Sequence, residues 1–441
     1  MKWLVAFALG AYLLAFRVYG VNEGFALLGE QVRDWSIAQR SFDNLPWVGP
    51  RSPNSGLDIG PVYYPFLWAS RVVLGPFFDY LPHAGAWALA IAQTVADLAL
   101  FVALWRVFNS GWAAGAVVIG AATGVLGAHL TTTIWNPPLA VAFVKFGAAA
   151  ALWRSPLTSW TFMATLACGA LALQAHPSTL MVLVPLAFVG LWNVGRHHGI
   201  AAIWPGLVAV TILSLPWALA YQLSPVSVRA LPEGQTGAVL GSVAAVVSDP
   251  LSRLRIGASA DGIARSLEHI LGHPFSVGWL RWVLLGCALA TLVKVRDSVW
   301  NGWTAGSLIT AVAMFSFWQG YFDSYWFLVL APAAAACLAA PILMTSGRLR
   351  VGVIVVCVIL VAAVQPWRAR ELQRWRYPEY GVLVRATRAI ASTGTAVREI
   401  RTSFQIPEGM DVYFLHALQG GRLDADGPIA TIAEDGSFVL H

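Results

Sequence analysis

The feature that most constrains the fold is a series of apolar segments that each approach the thickness of a membrane. Eleven of them recur: residues 3–19, 84–105, 112–130, 138–153, 158–174, 178–194, 200–221, 276–293, 302–319, 325–344 and 350–366. A helix of about 20 mainly apolar residues crosses roughly 30 Å of hydrocarbon. Hydrophobic residues make up 58% of the 441 and charged residues 11%, which is more apolar than a soluble domain. The sequence therefore predicts an all-α polytopic membrane protein.

Charge and cysteine content exclude two other classes of function. The formal net charge is +6, but Lys and Arg are spread singly between apolar segments and form no basic face, so nucleic-acid binding is not expected. The four cysteines all lie inside apolar segments, which indicates buried thiols and neither a disulfide framework nor a metal site. They are Cys168, Cys287, Cys337 and Cys357.

The distribution of basic residues predicts the orientation of the helices. With a cytoplasmic N-terminus, five short loops with Lys or Arg face the cytoplasm, as the positive-inside rule requires. The loops 131–137, 174–178 and 320–324 contain no Lys or Arg and face outward. Residues 61–81 are apolar but contain Arg71 and three prolines, so we expect juxtamembrane helices at the outer interface there. Four arginines that follow the last segment, at 368, 370, 374 and 376, oppose this orientation.

These assignments divide the chain into two parts. Residues 1–366 form a transmembrane domain with a first outer loop at 20–83 and a second large outer loop at 222–275. Residues 367–441 form a small α+β tail on the extracytoplasmic side. Within the tail we expect a helix over 380–401 and strands in DVYFLHAL and TIAEDGSFVL.

The first outer loop has the strongest chemical pattern. Residues 23–44 are expected to form a surface helix on which Glu30 and Asp34, four residues apart, share a face. Arg33 and Arg40 share a neighbouring face. A carboxylate can take a proton from an acceptor hydroxyl while cations hold a phosphate leaving group. The alternative is a solvated amphipathic helix with ordinary surface ion pairs.

The predicted topology brings further polar residues to the outer side. Asn136, His176 and Tyr325 each lie where an apolar segment reaches that side, whereas the cytoplasmic loops hold little beyond Lys and Arg. A transporter places polar groups near mid-membrane and gates on both faces. Polar residues on one face only favour an enzyme that works at the boundary between the membrane and water.

Four short motifs in this order resemble the GT-C glycosyltransferases: GPVYYPFLW, TTTIWNPPLA, QAHPST and GYFDSYWFLVLAP. The resemblance is to the bacterial branch of the family 39 type, related to protein O-mannosyltransferases and aminoarabinose lipid A transferases. It implies a helical bundle with large outer loops in a bacterial cytoplasmic membrane. It also implies transfer of a hexosyl or pentosyl group from a polyprenyl-phosphate donor to a glycan, lipid or protein acceptor on the periplasmic face, as a step of cell-envelope glycosylation.

The resemblance also suggests roles for individual residues. In that family the first-loop Asp is tied to catalysis, and Asp34 in QVRDW matches it, with Glu30 as the reserve base. Candidate substrate-binding residues are Arg33, Arg51, Asp58, Tyr63, Tyr64, Asn136, Lys145, His176, Tyr321, Asp323 and Tyr325. Two departures are Trp35, where the family often has Glu, and Asn136, where many members have Asp. Because hard cations prefer several carboxylates, no cofactor is expected and a divalent metal is not favoured.

Several of these residues have a second interpretation. His176 is either a hydrogen-bond donor to phosphate or a polar cap at a helix end. Asn136 is either a substrate contact or the N-cap of a helix. Asp97 and Lys145 lie inside apolar segments, where a lone charge is costly; a mutual ion pair is favoured over Lys145 reaching the donor phosphate. Asp323 either binds sugar hydroxyls or lies in a solvated turn.

Two other functions fit the same topology. An outer-face glycan polymerase or ligase would use a lipid-diphosphate-linked oligosaccharide. A flippase or transporter for a lipid-linked sugar would move the intact donor without cleaving it.

Overall fold

The computed structural model describes residues 2–27, 29–50, 59–124, 133–223, 256–271, 280–316, 324–359, 361, 378–405 and 411–441. Four candidate site residues, Arg51, Asp58, Tyr321 and Asp323, lie outside these ranges. The arginine-rich stretch after residue 366 and residues 224–255 of the second predicted loop also lie outside them.

Helices dominate the described part of the chain. The first half contains α1 (Lys2–Gly24), α2 (Gly29–Ala38), α3 (Tyr63–Leu74), α4 (Pro82–Phe108), α5 (Gly111–Ala122), α6 (Asn136–Leu152), α7 (Ser159–Ala175), α8 (Leu180–His198) and α9 (Trp204–Leu223). The second half contains α10 (Ile256–Leu271), α11 (Leu280–Lys294), α12 (Ser298–Asn301), α13 (Ser307–Phe315), α14 (Ala331–Leu338), α15 (Pro341–Met344), α16 (Gly347–Ile359), α17 (Pro378–Ser392), β1 (Glu399–Thr402), α18 (Val412–Leu418), β2 (Ile429–Ile432) and β3 (Phe438–Leu440). Short 3₁₀ segments include Phe42–Asn44 and Ser324–Leu330.

The helices are those of a multi-pass membrane protein. Among the described residues, four helical stretches are long and apolar enough to cross a bilayer: Pro82–Phe108, Pro177–His198, Ile200–Ala220 and Ser324–Met344. Five shorter apolar helices accompany them: Trp3–Tyr19, Gly111–Ala122, Asn136–Leu152, Ser159–Ala175 and Trp282–Lys294. Each of the eleven segments that are predicted to cross the membrane contains helix. The number of eleven crossings stays a prediction.

Close packing of small residues holds the bundle together. Helix α6 packs against both α4 and α7. At Gly190 of α8 a Cβ atom would come within 2.6 Å of the Phe162 ring on α7, and at Gly206 of α9 one would come within 2.9 Å of Leu166. Helices in lipid associate through this kind of close van der Waals contact, because lipid is as apolar as their side chains. Large apolar side chains such as Phe188 point away from the bundle, with 71% of the residue exposed.

The C-terminal segment is a small α+β unit. Strands β1 and β2 pair in parallel from Glu399 opposite Ile429, and β2 and β3 pair antiparallel. The prediction that DVYFLHAL is a strand is wrong, because this stretch is helix α18. Its buried residues are Val412, Leu415 and His416, and the last two lie three and four positions after Val412, as on one face of a helix. The Asp411 side chain caps the helix by accepting the Phe414 N–H at 3.0 Å.

This unit contacts the end of the bundle where α1 finishes and α4 begins, which we call the loop end. The hydroxyls of Tyr80 and Tyr380 are 2.6 Å apart and buried. The Phe25 ring meets both tyrosine rings edge to face. Arg388 of α17 lies 3.4 Å from Asp79. The C-terminal unit and the first loop therefore lie at the same end of the molecule.

Candidate active site

Two short helices of the first loop build the site. Helix α2 is shorter than the predicted 23–44, and α3 lies within the segment 61–81 that was expected to be juxtamembrane. On α2, Asp34, Trp35 and Ala38 are buried. Trp35 packs against α4, where a Cβ at Gly85 would lie 3.1 Å from its ring. This packing carries Asp34 into the protein at the loop end.

Asp34 uses only one of its two carboxylate oxygens. Its Oδ1 accepts hydrogen bonds from Arg33 Nε at 3.0 Å and Nη2 at 2.9 Å. The Tyr64 hydroxyl of α3 donates to the same oxygen at 3.3 Å. The carboxylate is 1% exposed, whereas the Arg33 side chain is 43% exposed. Among the described residues Oδ2 has no hydrogen-bond partner, so this buried oxygen is an unsatisfied acceptor.

Burial gives this carboxylate the properties of a general base. Burial raises the pKa of Asp34 to about 6, and the Arg33 charge and the hydrogen bonds from Arg33 and Tyr64 limit that rise. A pKa just below physiological pH leaves the group ionised and makes it more basic than an ordinary aspartate. Asp34 is therefore suited to accept a proton from a hydroxyl.

Two tyrosines lie beside this acid. The Tyr63 residue is 0% exposed, and among the described residues its hydroxyl has no hydrogen-bond partner. Burial raises the pKa of both Tyr63 and Tyr64, so both phenols stay protonated and act as neutral donors. A buried donor without a partner is costly, so the Tyr63 hydroxyl is an unsatisfied donor beside Asp34.

Glu30 has a different environment from Asp34. It lies exposed in the first turn of α2, although the spacing of four residues predicts that the two acids share a face. Helix α2 begins only at Gly29, and its buried face starts one turn after Glu30. Of the two acids, only Asp34 is buried.

A second group of predicted residues meets at the same end of the bundle. The Trp135 and Tyr325 rings lie 4.7 Å apart, and the His176 ring lies 5.9 Å from Tyr325. Asn136 Nδ2 donates to the Ala175 carbonyl at 2.8 Å. The interpretation of Asn136 as an N-cap is wrong, because it is the first helical residue of α6 and Trp135 occupies the cap position. Its side chain instead ties α6 to the end of α7.

His176 is a neutral hydrogen-bonding group. Its Nδ1 accepts the Ser178 backbone N–H at 3.2 Å and lies 2.7 Å from the Ser178 hydroxyl, so the ring carries its proton on Nε2. Burial lowers the pKa of His176 to about 4. The residue caps the turn that follows α7, as the second interpretation expects, and it offers Nε2–H as a donor without a positive charge.

Three contacts join the two groups. The Thr133 hydroxyl donates to the Ala26 carbonyl at 2.9 Å. A Cβ at Gly85, which would touch Trp35, would also lie 3.1 Å from Ile134. At Gly60 a Cβ would lie 2.3 Å from the Gln174 side chain, so the loop before α3 rests on the end of α7. Asp34, Tyr63, Tyr64, Asn136, His176 and Tyr325 therefore line one end of the bundle.

Lys145 is engaged elsewhere. Its Nζ lies 2.7 Å from Asp97 Oδ1 and 2.7 Å from Gln93 Oε1, so the favoured ion pair is present. It lies nine residues beyond Asn136 along α6, about 14 Å deeper in the bundle. Arg17 of α1 joins the pair, with Nη2 at 2.5 Å from Asp97 Oδ2.

Asp34 is poorly suited to holding a divalent cation. Within the described ranges there is no group of three His, Cys, Asp or Glu side chains that could hold a metal ion. The Arg33 guanidinium already occupies one oxygen of Asp34, whereas hard cations take six or more oxygen ligands.

Sequence reasoning missed several parts of this arrangement. Arg17 and Gln93 complete the buried ionic cluster of Asp97 and Lys145. The sequence signal for this cluster is that three ionisable residues, Arg17, Asp97 and Lys145, lie inside apolar segments. The ring contact between Trp135 and Tyr325 joins residues 190 positions apart and has no local signal. The same is true of the contact between Tyr80 and Tyr380.

Comparison with known proteins identifies the fold. No family model and no curated protein sequence matches the chain. The ArnT structure from Cupriavidus metallidurans, bound to undecaprenyl phosphate, is similar over 98% of this chain and 93% of its own, with a TM-score of 0.58 and 11% identity. The archaeal oligosaccharyltransferase AglB from Archaeoglobus fulgidus, in complex with an inhibitory peptide and a dolichol-phosphate, is similar over 96% of this chain and 64% of its own, with a TM-score of 0.52 and 12% identity. The chain therefore has the fold of the GT-C membrane glycosyltransferases.

Proposed function

We propose that this protein is a membrane glycosyltransferase that moves a sugar from a polyprenyl-phosphate donor to an acceptor hydroxyl at the outer face of the cytoplasmic membrane. The observation that carries the proposal is Asp34, a buried carboxylate with one oxygen fixed by Arg33 and Tyr64 and the other without a partner among the described residues. The fold it shares with two proteins that hold polyprenyl phosphates supports the choice of donor.

The proposed reaction uses these residues as follows. The acceptor oxygen attacks the anomeric carbon of the donor, and its proton passes to Asp34 Oδ2. The bond between the anomeric carbon and the phosphate oxygen breaks, and the electron pair leaves with the polyprenyl phosphate. Arg33, whose side chain is 43% exposed, supplies positive charge to the leaving phosphate. Tyr63 and His176 supply neutral hydrogen-bond donors.

An apolar cavity suits the hydrocarbon of such a carrier. It has a volume of about 950 Å³ and lies between α10, α11 and α13, with Ile263, Leu285 and Ile309 among its lining residues. The Phe315 ring at the end of α13 stacks on Trp326 at 5.9 Å, next to Tyr325 of the second polar group. A prenyl chain in this cavity would therefore place its phosphate end near the loop end.

The decisive experiment offers labelled polyprenyl-phosphate sugars to purified protein, with membrane extract as the source of acceptor. The proposal predicts release of free polyprenyl phosphate by the wild type and loss of that release in the Asp34→Asn variant. Turnover of lipid-diphosphate oligosaccharides alone would favour a polymerase or ligase. Movement of intact donor between leaflets without cleavage would favour a flippase.

A further inference from the structure

The bundle contains a buried ionic cluster whose charges do not balance. Arg17 of α1 and Lys145 of α6 both contact Asp97 of α4, at 2.5 and 2.7 Å. All three are at most 3% exposed. Two cations face one carboxylate, so the cluster has an excess of one positive charge. An uncompensated charge in the membrane interior is costly.

Some of the donors in the cluster remain unused. Arg17 Nη1 donates to the Thr94 hydroxyl at 2.8 Å and Nη2 to Asp97, while Nε–H has no hydrogen-bond partner among the described residues. Lys145 has three N–H donors; its Nζ donates to Gln93 and forms an ion pair with Asp97 Oδ1. Both cations therefore keep a donor for a further acceptor.

A small cavity borders these side chains. Its lining includes Arg17, Gln93 and Lys145 together with apolar residues such as Ala121 and Leu328. Its volume is about 20 Å³, and about 10–15 Å³ by this measure admits one water molecule. The cavity is too small for a phosphate ester with its prenyl chain. A monatomic anion fits, and its single charge matches the excess.

We propose that this cavity binds a small monovalent anion of halide size, which balances the charge of Arg17 and Lys145 and ties α1, α4 and α6 together. The site is buried among mainly apolar residues, so the attraction between the anion and the two cations is stronger than at the surface. The site is about 14 Å deeper than Asn136 along α6, and it does not depend on the sugar-transfer proposal.

Thermal unfolding of the purified protein at constant ionic strength tests this site. Replacing gluconate with chloride or bromide should raise Tm saturably by roughly 2–4 °C. Lys145→Met removes the excess charge and should abolish that rise. Lys294→Met, which replaces an exposed lysine at the end of α11, is the matched control and should keep it. Equal wild-type Tm values in chloride and gluconate would overturn the proposal and indicate a neutral Lys145 beside a water molecule.

A second measurement does not depend on any variant folding. Crystals of the wild type grown in bromide should show an anomalous scattering peak beside Arg17 Nε. Bromide peaks only at the protein surface would overturn the proposal.

Discussion

Replacing Asp34 with asparagine tests two things: the proposed role of Asp34 as general base and the effect of its burial on the pH dependence of stability. Asparagine keeps the shape of the side chain but cannot accept the proton of the acceptor hydroxyl. General-base catalysis contributes about 10²–10⁴ in rate, so we expect kcat to fall by about that factor. For the wild type, kcat/KM should rise with pH and level off above about pH 6, where Asp34 is ionised.

The same variant should change how stability depends on pH. The pKa of Asp34 rises from 3.8 to about 6 on folding, which corresponds to about 3 kcal/mol. Because the folded state binds this proton more tightly, the contribution of Asp34 to stability is largest below pH 4 and falls by up to about 3 kcal/mol as pH rises through about 6. The asparagine side chain does not titrate, so Asp34→Asn should lack this loss and be the more stable protein at pH 7.

Denaturation in detergent at pH 4, 5, 6 and 7, paired with donor cleavage at the same pH values, measures both effects. Asp43→Asn is the control, because Asp43 is exposed in the Phe42–Asn44 turn; its activity and pH profile should follow the wild type. The reasoning is refuted if Asp34→Asn cleaves donor at the wild-type rate. It is also refuted if the two proteins show the same pH dependence of stability.

Three further changes probe the surroundings of the site. Tyr64→Phe removes a hydrogen bond that lowers the pKa of the Asp34 carboxylate, so the pH profile of kcat/KM should move to higher pH; an unshifted profile would contradict this. Gly60→Ala places a Cβ 2.3 Å from Gln174 and should lower the free energy of unfolding by about 1–3 kcal/mol, which a denaturant titration would measure. Tyr380→Phe leaves the buried Tyr80 hydroxyl without its partner, and faster limited proteolysis after residue 378 is expected, by a factor of about 5–100 from a cost of about 1–3 kcal/mol.

The apolar segments and their helices could be predicted, because a 20-residue apolar run has few alternatives to a helix in lipid. The choice of Asp34 came from a family resemblance, and its burial could not be derived from the sequence. The decisive contact is between Trp35 and Gly85, on helices whose relative position no local pattern encodes. The wrong prediction of a strand in DVYFLHAL has a local cause, because a short apolar run is compatible with either a strand or a helix. The Asp411 cap favours the helix.

The buried cluster of Arg17, Asp97 and Lys145 could also be predicted only in part. Asp97 and Lys145 were expected to meet because isolated charges in lipid are costly. Arg17 lies in the first predicted segment, 3–19, so the same argument applies to it. Counting all three would have indicated the excess of positive charge.

The hydroxyl contact between Tyr80 and Tyr380 has a practical consequence for labelling. It holds the last 60 or so residues against the face that carries Asp34. A fluorophore or affinity tag fused after His441 would therefore report from the side of the bilayer on which Asp34 lies. Accessibility of such a tag to a membrane-impermeant quencher in intact cells would reveal which compartment Asp34 faces.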